Sequence, residues 1–132
     1  VANGDIDSAQ KAAFVLNYTQ ADGLMIGRAA QGRPWIFEEI SHFLATGSQM
    51  HSKPLDEMAE VIATHLNKLY HFYGEVKGVW YARKHVASYV KQLPGGRQFL
   101  TDFHRCQAPQ QQTDILTEYF SLLTDNKEAI AA

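Results

Sequence analysis

One cysteine, Cys106, is all that 132 residues contain, so no disulfide closes within the chain and no thiolate cluster can hold a metal. It would act as a nucleophile only with a base beside it, which the local sequence gives no reason to expect, and it reads as a packed, inert thiol. A reducing, cytoplasmic location is the expectation. No apolar run approaches the roughly 18 residues that a membrane-spanning helix requires. Signal peptides, lipidation motifs and internal repeats are absent as well. The six histidines are scattered, with no pair at ligand spacing beside a carboxylate, so no metal site is expected. The formal net charge is -2 and only 20% of residues are charged, against 45% that are hydrophobic. That balance argues against disorder and suffices for one ordinary core.

What the chain does have is the stretch Gly23-Leu24-Met25-Ile26-Gly27-Arg28-Ala29-Ala30-Gln31-Gly32-Arg33-Pro34-Trp35-Ile36. A short run of little polarity stops at Gly27 and Arg28, and Pro34 opens an apolar helix. The pattern predicts a buried strand, a tight turn and a helix start. Backbone N–H groups and the positive end of a helix favour phosphate there. Gly27 lets an anion approach the backbone closely, and Arg28 adds a planar donor fork. An ordinary strand-to-helix turn that needs glycine for its shape would look the same, and the residues alone leave both readings open.

The segments on either side set the rhythm. Val1–Asp5 is an apolar stub entering a polar turn, and Asp7 stands where a helix cap belongs, with Gln10 three residues on. Ala9, Ala12, Ala13 and Leu16 form a helical stripe ending near Tyr18. Strand end, helix, strand and helix in this order are the rhythm of a parallel α/β unit. Because the chain opens on Val1, already at a strand end, it reads as a piece of something longer. In the next helix Ile36, Ile40, Phe43 and Leu44 are expected to face inward, with Glu38 and Glu39 near its start and Gly47 as its stop. We read residues 1–47 as the first domain and the polar segment 48–53 as a linker.

Residues 54–132 read as all helix. Leu55, Met58, Ile62, Leu66, Leu69 and Tyr73 recur at three and four until Gly74, and a second helix follows over about Val76 to Leu93. A short helix holds Phe99, Leu100 and Phe103. A last one turns Ile115, Leu116, Tyr119, Phe120 and Leu123 inward, with fraying expected after Thr124. Packed antiparallel, these make a small bundle. Six of the twelve basic residues, Lys77, Arg83, Lys84, Lys91, Arg97 and Arg105, lie between positions 77 and 105, opposed only by Asp102. Lys77, Tyr81, Lys84, Ser88 and Lys91 share one stripe, while Val79, Ala82, Val86, Val90 and Leu93 share another. The first suits a phosphate backbone with an unstacked base, and equally suits an ordinary solvated helix face. His65, beside the apolar stripe, reads as a structural residue.

Asn3-Gly4-Asp5-Ile6, followed by the Gly23–Phe37 stretch, closely resembles the tRNA-dihydrouridine synthases, and among them the bacterial B type. Ala82-Arg83-Lys84-His85 resembles the Arg-Lys-His segment of that family's helical domain, and the likeness runs from Val1 to about Phe120. The resemblance implies the C-terminal part of a TIM (β/α)8 barrel, its last two βα units, followed by a small helical bundle: α/β plus all-α. Val1–Asn3 would end strand seven and Gly23–Ile26 would be strand eight, where such barrels commonly bind phosphate. It further implies FMN held by Asn3, Gly4, Asp5, Gly27 and Arg28, and NADPH as reductant. The partner is tRNA, met by Arg83, Lys84 and His85, with Lys77 and Lys91 on the same basic helix. The implied reaction reduces a D-loop uridine to 5,6-dihydrouridine in a monomeric, cytoplasmic enzyme that does not enter membranes. The family's acid cysteine lies upstream of anything matching this chain, so no catalytic residue is expected within residues 1–132, and the chain alone should not turn over. Two other functions compete: a helical RNA-binding module without activity of its own, and a flavin-dependent barrel acting on a small molecule.

Overall fold

A computed structural model describes residues 1–131. The chain divides into two compact units, Val1–Ser52 and Lys53–Ala132.

In the first unit, α1 spans Ala9–Thr19 and α2 spans Ile36–Thr46, with a single 3-10 turn at Arg28–Ala30 between them. Small residues let α1 come close to its neighbours: Ala12 is fully buried, and Ala9 joins Ile6, Ile36 and Ile40 in one apolar cluster. The cap of α1 is Ser8, not Asp7; backbone extended at Ser8 brings its Oγ to the N–H of Lys11 at 3.2 Å. Asp7 sits one residue too early, and its carbonyl instead accepts from Arg33 Nη1 at 3.1 Å. Arg33 also pairs with Glu39 near the start of α2, so one guanidinium ties the lead into α1 to α2. Pro34 lies in the turn before α2, which begins two residues later. Leu44 is exposed rather than inward. Each helical residue advances about 100°, and Leu44 falls further from the buried line of Ile36 and Phe43 than Ile40 does.

The two expected strands do not form. Among the described residues there are five helices and no named strand; Ala2 and Leu24 meet in one isolated parallel bridge. The Ala2 N–H donates to Gly23 O at 2.9 Å, and the Met25 N–H donates to Ala2 O at 2.8 Å. The orientation is that of a βα unit, yet two short parallel segments bury little without further strands beside them. Met25 is accordingly 61% exposed, and the burial expected of Gly23–Ile26 is only partial, with Leu24 and Ile26 resting on the apolar cluster. The α/β expectation is reduced to a bridge flanked by helices, and the barrel units themselves are not seen.

The second unit is helical throughout, with α3 over Leu55–Val90, α4 over Gly96–Phe103 and α5 over Pro109–Ala131. The apolar spacing runs unbroken through α3 except at Gly74, whose φ of 80° and ψ of 170° are non-helical. No side chain tolerates that conformation well. The helix doubles back there: the rings of His65 and His85 lie 4.6 Å apart, where a straight helix would hold them about 30 Å apart. At Gly78 an added Cβ would stand 2.9 Å from the Tyr70 Cα, so only glycine permits this spacing of the two arms.

Ile62, Leu66 and Leu69 of the first arm meet Val79, Ala82, Val86 and Val90 of the second, and Phe99, Phe103, Leu116 and Phe120 complete the core. Tyr73, expected inward, is exposed because it precedes the bend, and its ring rests on Tyr81 instead. Gln112 is fully buried in this apolar setting. Its Nε2 donates to Val79 O at 3.1 Å and its Oε1 accepts from Tyr70 Oη at 2.7 Å. Burial pushes the Tyr70 phenol up to about 12, so it stays a donor even in alkaline solution. Rather than fraying after Thr124, α5 continues to Ala131.

Candidate functional site

A cleft of about 920 Å³ opens in the first unit. The polar turn after Val1–Ala2 and the turn after Ile26 reach it because the parallel bridge sets their chain ends side by side. Asn3, Gly4, Asp5, Gly27 and Arg28 all line it. Gly4 and Asp5 both have positive φ, 106° and 32°, a conformation rare for a residue with a side chain. This turns the Asp5 carboxylate toward Arg28, and Arg28 Nη2 pairs with Asp5 Oδ1 while both side chains stay largely exposed. The exposed pair contributes little to stability. Its effect is to hold the guanidinium at the cleft.

Lys11 and Asp7 also line the cleft. Sequence reading missed Lys11 as a site residue, although an exposed cation in the first turn of α1 was a signal that could have found it. Cations from Lys11 and Arg28 face carboxylates from Asp5 and Asp7, so an entering anion must compete with Asp5 for Arg28. A Cβ at Gly4 or at Gly27 would meet nothing within 4 Å. Neither glycine is demanded by packing within the chain, and the space beside each is open to a ligand.

In the second unit the Arg83-Lys84-His85 segment points three ways, as successive helical positions must. Lys84 is exposed, as are Lys77 and Lys91, at seven-residue intervals along one face. Arg83 is half-buried and donates from Nη2 to Cys106 O at 3.1 Å, bracing the turn between α4 and α5. Its Nε is buried with no hydrogen-bond partner among the described residues. His85 packs against His65, and burial first, then the Lys84 charge, lowers its pKa. A neutral ring is therefore held beneath the lysine face. Cys106 is half-buried, and burial pushes its thiol up; Sγ lies 3.6 Å from Asp102 O. Among the described residues no group of three or more His, Cys, Asp or Glu could hold a metal ion, and no helix is long and apolar enough to cross a membrane.

A family model described as dihydrouridine synthase matches residues 1–125. The tRNA-dihydrouridine synthase B of Shewanella oneidensis is 50% identical over 126 residues, covering 96% of this chain and 39% of that protein. The tRNA-dihydrouridine synthase B of Pseudomonas aeruginosa is 47% identical over 131 residues, covering 99% and 40%. That of Salmonella typhimurium is 48% identical over 120 residues, covering 91% and 37%. The chain thus spans about two fifths of the length of these curated relatives. Matched by the family over nearly all of its residues, and sharing about half its positions with these B-type proteins, the chain belongs to the dihydrouridine synthase family.

Proposed function

We propose that this chain supplies the cofactor-phosphate cleft and the RNA-binding helices of a cytoplasmic, monomeric tRNA-dihydrouridine synthase. The enzyme reduces a D-loop uridine to 5,6-dihydrouridine, with FMN as cofactor and NADPH as reductant. The observation that carries this reading is the meeting of Asn3, Gly4, Asp5, Gly27 and Arg28 at one cleft. Its volume falls in the range of small-molecule sites, and the open space beside Gly4 and Gly27 fits a phosphate brought close to backbone. FMN held by Asn3, Gly4, Asp5, Gly27 and Arg28 would supply the hydride chemistry of the reaction, with NADPH as its reductant.

The chain's own residues bind and orient. Arg28 would offer its fork to the phosphate, Gly27 would admit it beside the backbone, and Asn3 would line the ribityl side. Asp5 holds Arg28 in place until the phosphate competes for it. On the second unit, Lys77, Lys84 and Lys91 meet tRNA phosphates, while Arg83 and His85 support that face from its buried side. The acid that protonates the substrate is proposed to lie outside residues 1–132, since Cys106 is a half-buried thiol of raised pKa in the helical unit.

The test is Arg28→Ala in the full-length protein carrying this sequence. Losing a charge-assisted bond worth about 1.5–3 kcal/mol should weaken flavin affinity by about ten- to a hundredfold. The flavin-to-protein absorbance ratio after gel filtration should fall accordingly. Equal flavin occupancy in the variant and its parent would remove the phosphate role from Arg28.

A further inference from the structure

The bend of α3 leaves a connected set of aromatic rings in water. Phe72 is 79% exposed and Tyr81 47% exposed, although both are large apolar-faced side chains. Phe72 meets Tyr73 edge-on with ring centres 4.8 Å apart, and Tyr73 lies 4.5 Å from Tyr81. Rings therefore run from the first arm to the second across the turn at Gly74. Phe72 and Tyr73 also wall a shallow, mostly apolar cavity of about 650 Å³ bordered by Lys68 and His71. Contiguous exposed aromatics of this kind mark an interaction surface.

The surrounding charge decides what class of partner fits. Lys77 lies one helical turn before Tyr81 and Lys84 one turn after it, and both are exposed. From Val76 to Lys91 the second arm carries no aspartate or glutamate; Glu75 stands at the bend itself. Lysines without rings would serve phosphates alone, and rings without cations would suit an apolar protein surface. Rings with cations at one-turn intervals match the repeating chemistry of an unpaired nucleotide, which offers a π-face and an anion together.

We infer that Phe72, Tyr73 and Tyr81 form a stacking platform for an unpaired base of the bound RNA, with Lys77 and Lys84 holding the phosphates on either side of it. This rests on the tRNA reading above and adds to it a base-stacking contact at a stated place. Phe72 has the most accessible ring of the three and makes the first contact, while Tyr73 fixes its orientation from the edge. Stacking of this kind accepts any base, so the platform contributes affinity and register without reading sequence.

The experiment measures binding of an unmodified tRNA transcript to the full-length protein by fluorescence anisotropy over a range of salt concentrations. Phe72→Ala with Tyr81→Ala should lower affinity by about tenfold at every salt concentration, leaving the slope of log affinity against log salt unchanged. Tyr81→Phe should bind like the parent. Lys84→Ala with Lys91→Ala should instead flatten that slope. Parental affinity in the aromatic pair, with weakened binding in the lysine pair, overturns the platform and leaves the RNA reading standing. Absent or salt-insensitive binding by the parent overturns the RNA reading, and the platform with it. Thermal melts accompany each variant: a lowered melting temperature with unchanged affinity assigns the rings to packing within the protein and also overturns the platform. Phe72→Ala alone, at the most exposed of the three rings, repeats the test should the pair not fold.

Discussion

His65 and His85 face each other across the two arms of α3, and His65 Nδ1 lies 3.1 Å from Tyr89 Oη. Burial lowers the pKa of both rings from the ordinary 6.5; the second cause is the other ring for His65 and Lys84 for His85. Protonating either ring places a cation in a half-buried site beside another imidazole. The unfolded chain binds protons first as pH falls, so stability is complete above the ordinary value and is lost below it. The melting temperature should hold steady from pH 8 to about 7, then decline as pH passes below 6.5. His85→Gln should flatten that decline, as thermal melts across the range would record. An identical decline in the variant would place the responsible group elsewhere. Gln112 acts at the same scale by another route: its amide satisfies Tyr70 and Val79 inside an apolar core, where an unpaired polar group would be costly.

Among the elements, α3 depends most on one conformation. Its 36 residues form two antiparallel arms because Gly74 alone departs from helical geometry. Both the apolar core of the second unit and the aromatic rings at its turn follow from that reversal. Gly74→Ala must either strain the bend or straighten the helix, and straightening would separate Tyr70 from Gly78 and His65 from His85. We expect a loss of about 1–3 kcal/mol, read as a lower urea midpoint with little change in slope. An unchanged midpoint would mean that the bend is set by packing and tolerates a side chain. In the first unit, the bridge between Ala2 and Leu24 has a comparable role, since it brings the two polar turns beside one cleft, where Arg28 pairs with Asp5.

For the molecule as a whole, residues 1–132 present a cleft lined by Arg28 and Lys11 in one unit and a lysine-bearing helix in the other. The acid that protonates the substrate is proposed to lie outside both. Burial pushes the Cys106 thiol up, and it lies in the turn between α4 and α5, remote in sequence from every residue of the cleft. Residues 1–132 supplied with FMN, NADPH and unmodified tRNA should therefore form no detectable dihydrouridine. Mass spectrometry of the digested tRNA checks this, and any gain of two hydrogens on a uridine would place the acid within this chain.

Much of the helical architecture was legible because three- and four-residue apolar spacing carries its own geometry. Ile62, Leu66 and Leu69 are buried where that spacing put them, as are Val79, Ala82, Val86 and Val90. Gly47 ends α2 and Gly74 breaks α3, since a positive φ favours one residue type. Strand character was less legible, because a strand needs neighbours that a local pattern does not contain. The pair Ala2 and Leu24 accordingly appears as a bridge rather than a sheet. The sequence by itself determined which residues are apolar enough to pack and where the backbone can turn, because those are properties of side chains and their near neighbours. Only the tertiary structure decided that Arg28 faces Asp5, that Gln112 joins Tyr70 to Val79, and that Phe72, Tyr73 and Tyr81 come together in water. Apart from the adjacent Phe72 and Tyr73, those meetings join residues from eight to 42 positions apart, and their partners are chosen by how the elements fold onto one another.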